Sequence, residues 1–106
     1  MNARNKGHAY ERKIAKELKD FYPDCVTSRY GNRMMDDMGV DLINTDPFNV
    51  QCKAVERLGT YHDILKSMPE DNNYNLIFHK RNNRGEVVVM SKDDFYELLY
   101  MLKGII

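Results

Sequence analysis

The chain has 106 residues, 42% of them hydrophobic and 30% charged, with three prolines and no net charge. That is one domain, 1–106, with a single modest core, and it excludes a disordered or repetitive chain. The charge is uneven: residues 1–35 carry eight Lys/Arg against four Asp/Glu, so a basic end suited to a polyanion faces an acidic remainder, although ordinary solvated surface gives the same count.

The opening MNARNKGHAYERK has no apolar stretch, so no secretory leader is expected, and no apolar run approaches the roughly 18 residues of a membrane span. Residues 8–22, HAYERKIAKELKDFY, set apolar side chains at 10, 14, 15, 18, 21 and 22, a helical period closed by Pro23. With Tyr10 at zero and a turn of about 100° per residue, positions 14, 15, 18, 21 and 22 fall within roughly 20–140°, and Glu11 sits in the middle of them near 100°. A carboxylate centred on a core-facing stripe is costly unless a cation or hydrogen-bond donors meet it. Two readings follow: a structural ion pair with Lys53 or Arg29, or one wall of a polar volume that takes a divalent cation.

CVTSRY (25–30) suits a strand and GNRMMDDMG (31–39) a loop. VDLI (40–43) and FNVQCKA (48–54) read as strands around the turn NTDP. RLGTYHDILKSMP predicts a short helix with Thr60 as N-cap and Pro69 beyond its end. NLIFHK and EVVVM flank RNNRG, a hairpin pattern, and SKDD opens a last helix with Ser91 as N-cap. The predicted order is α-β-β-β-α-β-β-α, an α/β (α+β) fold with a mixed central sheet flanked by helices. Cys25 and Cys52 both lie in apolar runs, as buried thiols of a protein in the reducing cytoplasm would.

Period-two alternation puts Val40, Leu42, Val50, Cys52 and Ala54 on the core face and Asp41, Gln51 and Lys53 on the other. The matching register sets Val40 opposite Cys52 and Asp41 opposite Gln51, with Cβ atoms about 4.5–5.5 Å apart in such pairs. This is either a solvated outer face or a site where a carboxylate, an amide oxygen and an ammonium converge with Glu11. Hard cations such as Mg²⁺ take oxygen ligands and keep waters, so one or two carboxylates suffice. His8, His62 and His79 lack ligand spacing and there is no CxxC, which argues against zinc.

A helical Glu, a strand Asp and a second strand ending in Gln-x-Lys resemble the PD-(D/E)xK nuclease superfamily, here Glu11, VDL with Asp41, and Gln51-Cys52-Lys53. KGHAYERKIAKEL followed by TSRYG is similar, over roughly residues 4–54, to the archaeal-type and phage-type Holliday junction resolvases. The resemblance implies a restriction-endonuclease-like core and Mg²⁺-dependent hydrolysis of DNA phosphodiesters to 5′-phosphate and 3′-hydroxyl, with Mn²⁺ as substitute. It implies Asp41, Gln51, the Cys52 main-chain carbonyl and Glu11 as metal ligands, and Lys53 as the group that orients the attacking water. Arg4, Lys6, Arg12, Ser28, Arg29 and Arg33 become the DNA-contacting set, with recognition of DNA shape rather than sequence. Two departures stand out: Gly39-Val40 replaces the proline that often precedes the Asp, and Gln51 replaces the usual acid, removing one negative charge.

Other readings stay open: a nicking, repair or restriction-like nuclease of the same fold, or a DNA-binding module whose site has degenerated at Gln51. A four-way junction needs two symmetric cuts, and the last helix, DFYELLYMLKGII, is apolar at 95, 96, 98, 99, 101, 102, 105 and 106. That surface is wider than one stripe, so it forms either a homodimer contact or a helix packed deep within one monomer. Met34, Met35 and Met38 in the glycine-bounded loop either insert at a junction or, the favoured reading, pack against a neighbour.

Overall fold

The computed structural model describes residues 2–104; Ile105 and Ile106, counted above in the last helix, lie outside the described residues. Helix α1 (Ala3–Leu18) starts five residues before the apolar period does, because the Asn2 side chain caps it, accepting the Asn5 N–H at 2.9 Å. It also stops four residues short of the expected end. The last turn tightens into Asp20 N–H to Glu17 O and Phe21 N–H to Leu18 O bonds, which settle the orphan carbonyls before Pro23.

The expected strand over 25–30 is only β1 (Val26–Thr27). At Ser28 the chain turns into a single helical turn, α2 (Ser28–Gly31), where Gly31 packs so closely that a Cβ there would lie 2.8 Å from Ile43 Cδ1. The expected loop over 31–39 contains α3 (Arg33–Asp37), capped by Asn32, whose side chain accepts the Met35 N–H. Next come β2 (Leu42–Ile43) and β3 (Phe48–Lys53), then α4 (Tyr61–Ser67) with Thr60 capping as expected. β4 (Tyr74–Arg81), β5 (Gly85–Val89) and α5 (Lys92–Leu102) complete the chain, and Ser91 caps α5 through the Asp94 N–H.

The five strands form one mixed sheet in the order β1-β2-β3-β4-β5. All neighbours are antiparallel except β3 and β4, which run parallel across the α4 crossover. Tyr10, Ile14 and Ala15 of α1 pack on Leu42, Val50, Cys52 and Ala54, so α1 covers the face expected to be apolar. By alternation, Asn49, Gln51 and Lys53 of β3 face the other way, with Ile77 and His79 of β4. α4 lies on that side: Tyr61 Oη sits 2.8 Å from His79 Nδ1, while His79 Nε2 meets the Val55 carbonyl at 2.8 Å.

Deep packing of α5 in one monomer is ruled out. None of its residues is buried, and Phe95, Tyr96, Leu99, Tyr100, Met101 and Leu102 all stand exposed. Among the described residues a hydrogen bond from the Tyr74 hydroxyl to Met101 Sδ at 3.3 Å links it to the sheet.

Candidate active site

Four polar groups were expected to share one volume beside β3: Glu11 comes from α1, Asp41 from the segment before β2, and Gln51 and Lys53 from β3 itself. Glu11 comes from the buried face of α1. It is 8% exposed, and Arg29 of α2 reaches it through Nε at 3.1 Å and Nη2 at 3.0 Å, both on Oε2. Of the two expected cationic partners, Arg29 is the one that pairs with it. The Arg29 side chain is thereby committed to Glu11 rather than held out toward DNA.

Asp41 arrives on the edge of the β2–β3 hairpin. The expected register holds where Leu42 pairs with Val50. One residue earlier the ladder breaks: the Asp41 N–H donates to Val50 O at 2.7 Å, and the Cys52 N–H donates to the Asp41 carboxylate at 2.8 Å. The direct pairs Val40–Cys52 and Asp41–Gln51 therefore do not form, because the side chain of Asp41 takes the place of a main-chain acceptor. Its own carbonyl accepts the Ser28 N–H at 2.8 Å, so Asp41 is wedged between α2 and β3. Burial pushes its carboxyl up to about 7, helped by the negative charges of Glu11 and Asp36; the Cys52 N–H and the Lys53 ammonium pull the other way. Desolvation outweighs both of them.

Gln51 is 8% exposed, and its side-chain oxygen, Oε1, is buried with no hydrogen-bond partner. Such an orphan costs about 1–3 kcal/mol unless something outside the protein meets it. The amide can lie where it does because position 39 is glycine: φ there is +81°, and a Cβ would stand 2.8 Å from Gln51 Nε2. Lys53 follows on the same face, half-buried and close enough to act on Asp41. Cys52 points the opposite way, into the core under α1, where burial and then the charges of Asp41 and Glu11 push its thiol far up. Only its main chain borders the polar volume.

Two contributors escaped the sequence reading. Asp36 on α3 adds negative charge beside Asp41 and accepts the Ser28 hydroxyl at 3.3 Å. Gly39 makes room for the Gln51 amide. An N-capping Asn32 followed by Asp36 was the available signal for the first, and a glycine immediately before Val-Asp-Leu for the second.

The DNA-contacting set divides. Arg4, Arg12 and Arg33 are exposed. Lys6 is half-buried and its ammonium donates to Asn82 Oδ1 at 3.2 Å. Ser28 is wholly buried with its hydroxyl on Asp36, so it offers nothing to a DNA backbone.

Among the described residues no three His, Cys, Asp or Glu side chains gather to hold a metal. The donors here are two carboxylates, an amide oxygen and a main-chain carbonyl. Such a set fits a hard, partly hydrated cation such as Mg²⁺ and not a soft one. The orphaned Gln51 oxygen and the desolvated Asp41 carboxyl are the two groups a cation would satisfy.

Comparison with known proteins adds no relative: no family model matches the chain, and no curated protein or solved structure matches it significantly. Among the described residues no helix is long and apolar enough to cross a membrane.

Proposed function

We propose that the chain is a Mg²⁺-dependent DNA endonuclease with a restriction-endonuclease-like core, selective for branched DNA in the manner of a Holliday junction resolvase. The observation that carries this reading is the Gln51 side-chain oxygen, buried without a partner two residues before Lys53, whose charge acts on a desolvated Asp41. The order of elements supports it too: a helix with a buried acid, an antiparallel meander bearing Asp41 and Gln51-x-Lys53, then a helical crossover to a parallel strand.

In this reading Asp41, Gln51, the Cys52 carbonyl and Glu11 hold the ion. Magnesium bound there supplies Lewis-acid stabilisation of the phosphate and a bound water acidic enough to ionise near neutral pH. The chain does the rest. Lys53 orients the attacking water and meets the charge that builds on the phosphoryl oxygens. Arg29 holds Glu11 in place, and the Cys52 N–H holds one oxygen of the Asp41 carboxylate. Arg4, Arg12 and Arg33 neutralise the DNA backbone, each phosphate contact steepening the salt dependence of binding by nearly one log unit.

The exposed apolar side chains of α5 support a homodimer, which two symmetric cuts require. The two buried free cysteines accord with a reducing cytoplasm. The second reading, a DNA-binding module without catalysis, draws on the Glu11–Arg29 pair, which satisfies Glu11 with no metal at all.

The deciding experiment compares cleavage of a synthetic four-way junction and of a linear duplex, with and without Mg²⁺, by wild type and Asp41→Asn. Wild type is expected to cut the junction only with Mg²⁺, and Asp41→Asn to lose a thousandfold or more, about 4 kcal/mol of transition-state stabilisation. Salt-sensitive junction binding with no cutting by wild type establishes the second reading instead.

A further inference from the structure

The outer side of α1 carries a feature the candidate active site does not use. A groove of about 240 Å³ runs between α1 and the β1–α2 segment, with Arg12, Lys16 and Lys19 along one wall and Thr27 and Tyr30 along the other. The three cations follow one another at i, i+4 and i+7, on a single helix face, and all three are exposed. Ala15 and Cys25, both buried, floor the groove, and none of its lining residues is acidic. Tyr30 is 90% exposed, which for an aromatic ring forfeits nearly all the burial that would stabilise it.

The groove and the candidate site share both walls. On α1, Glu11 turns into the site and Arg12, its neighbour, into the groove; on α2, Arg29 pairs with Glu11 while Tyr30, the next residue, lines the groove. The groove and the candidate site therefore draw on consecutive residues of the same two elements. Cations that track a backbone beside one exposed aromatic face are the elements of single-strand recognition, because every base has a π face and every nucleotide a phosphate. A duplex keeps its base faces stacked and offers Tyr30 nothing.

We propose that this groove holds an unpaired nucleotide of the DNA strand beside the candidate site, its base stacked on Tyr30 and its flanking phosphates on Arg12, Lys16 and Lys19. The identity of that strand as the one cut rests on the nuclease reading above; the groove itself does not. It gives a physical reason for preferring branched over linear DNA: only a branch or end supplies the unpaired base.

The test is fluorescence anisotropy without divalent cation, using a labelled oligothymidylate and a blunt duplex of equal length. Tyr30→Ala is expected to weaken oligothymidylate binding roughly ten- to a hundredfold and to leave the blunt duplex unchanged, with Tyr30→Trp restoring the loss. Replacing Lys16 and Lys19 together by Ala is expected to lower the single-strand salt slope by about 1.4. Tyr30→Ala that binds oligothymidylate like wild type, or that loses both probes equally, overturns the proposal. The ring's exposure keeps folding out of the result, and an unchanged melting temperature verifies it. Junction cleavage by the same preparations separates the two claims. A wild type that needs Tyr30 for single strands yet cuts nothing removes the nuclease and keeps the groove, whereas one that cuts but ignores Tyr30 removes the groove alone.

Discussion

Asn49 and Gln51 stand two residues apart on β3, point to the same sheet face and are both buried, at 2% and 8% exposure. Their surroundings differ completely. The Asn49 amide donates to Asp71 at 3.1 Å and to Asn75 at 2.9 Å, and its oxygen accepts from Asn73 at 3.2 Å. Asn73 in turn reaches Asp46, and Asn75 reaches the Pro69 carbonyl, so a closed network ties the start of β4 to β3. The Gln51 oxygen has no partner. Polarity and burial are the same at the two positions; satisfaction is not. A satisfied buried amide stabilises the fold, and an unsatisfied one beside a desolvated carboxylate costs stability, which the proposed metal would return.

The largest effect expected on this contrast is electrostatic. The folded chain holds Asp41 protonated up to about pH 7, whereas the unfolded chain releases that proton near its ordinary value of 3.8. Between those values the unfolded state binds fewer protons, so stability falls as pH rises through the window and is flat above it. Asp41→Asn removes the effect: without metal, its stability relative to wild type should climb by up to about 4 kcal/mol between pH 4 and pH 8. Urea denaturation at both pH values reads this, and parallel curves would mean that Asp41 is not desolvated.

Next in size is the satisfied side of the comparison. Asn49→Ala strips partners from Asn73 and Asn75 and should cost about 3 kcal/mol in urea unfolding, with magnesium-dependent cutting retained under conditions where the variant is folded. A smaller cost, about 1–2 kcal/mol, is expected for Gly39→Ala, which forces a Cβ into the left-handed region and against the Gln51 amide. Cutting should fall with it, since the amide must move. Least of all, Gln51→Met should change stability by less than about 1 kcal/mol, in either direction, because an apolar chain of similar length leaves nothing unsatisfied. Metal-dependent cutting should nevertheless drop. If Gln51→Met destabilised the chain as much as Asn49→Ala, the contrast between the two amides would be void.

Much of this was legible in the sequence. The α4 helix, the Thr60 and Ser91 caps, the apolar face of the β2–β3 hairpin and the Leu42–Val50 register all follow from period and capping, which are local, whereas the parallel pairing of β3 and β4 is not. Glu11 declared itself by sitting on the wrong face of a helix. The failures were local patterns overruled from a distance. CVTSRY has strand composition, yet the strand ends at Ser28: its N–H still meets the Asp41 carbonyl opposite, but its hydroxyl goes to Asp36 and its carbonyl accepts the Asn32 N–H, which opens a helical turn. GNRMMDDMG looked like a loop between glycines, and Asn32 made it a helix.

By itself the sequence determined which residues alternate, where α4 and α5 are capped, and that Gln51 and Lys53 share one face of β3, since these depend on neighbours a few positions away. Only the tertiary structure decided that Arg29 takes Glu11, that Asp41 substitutes for main chain at the break in the ladder, and that Asn49 is satisfied while Gln51 is not. Hydrogen bonds and desolvation depend on which atoms lie within about 3 Å, and that is fixed by packing between segments far apart in the chain.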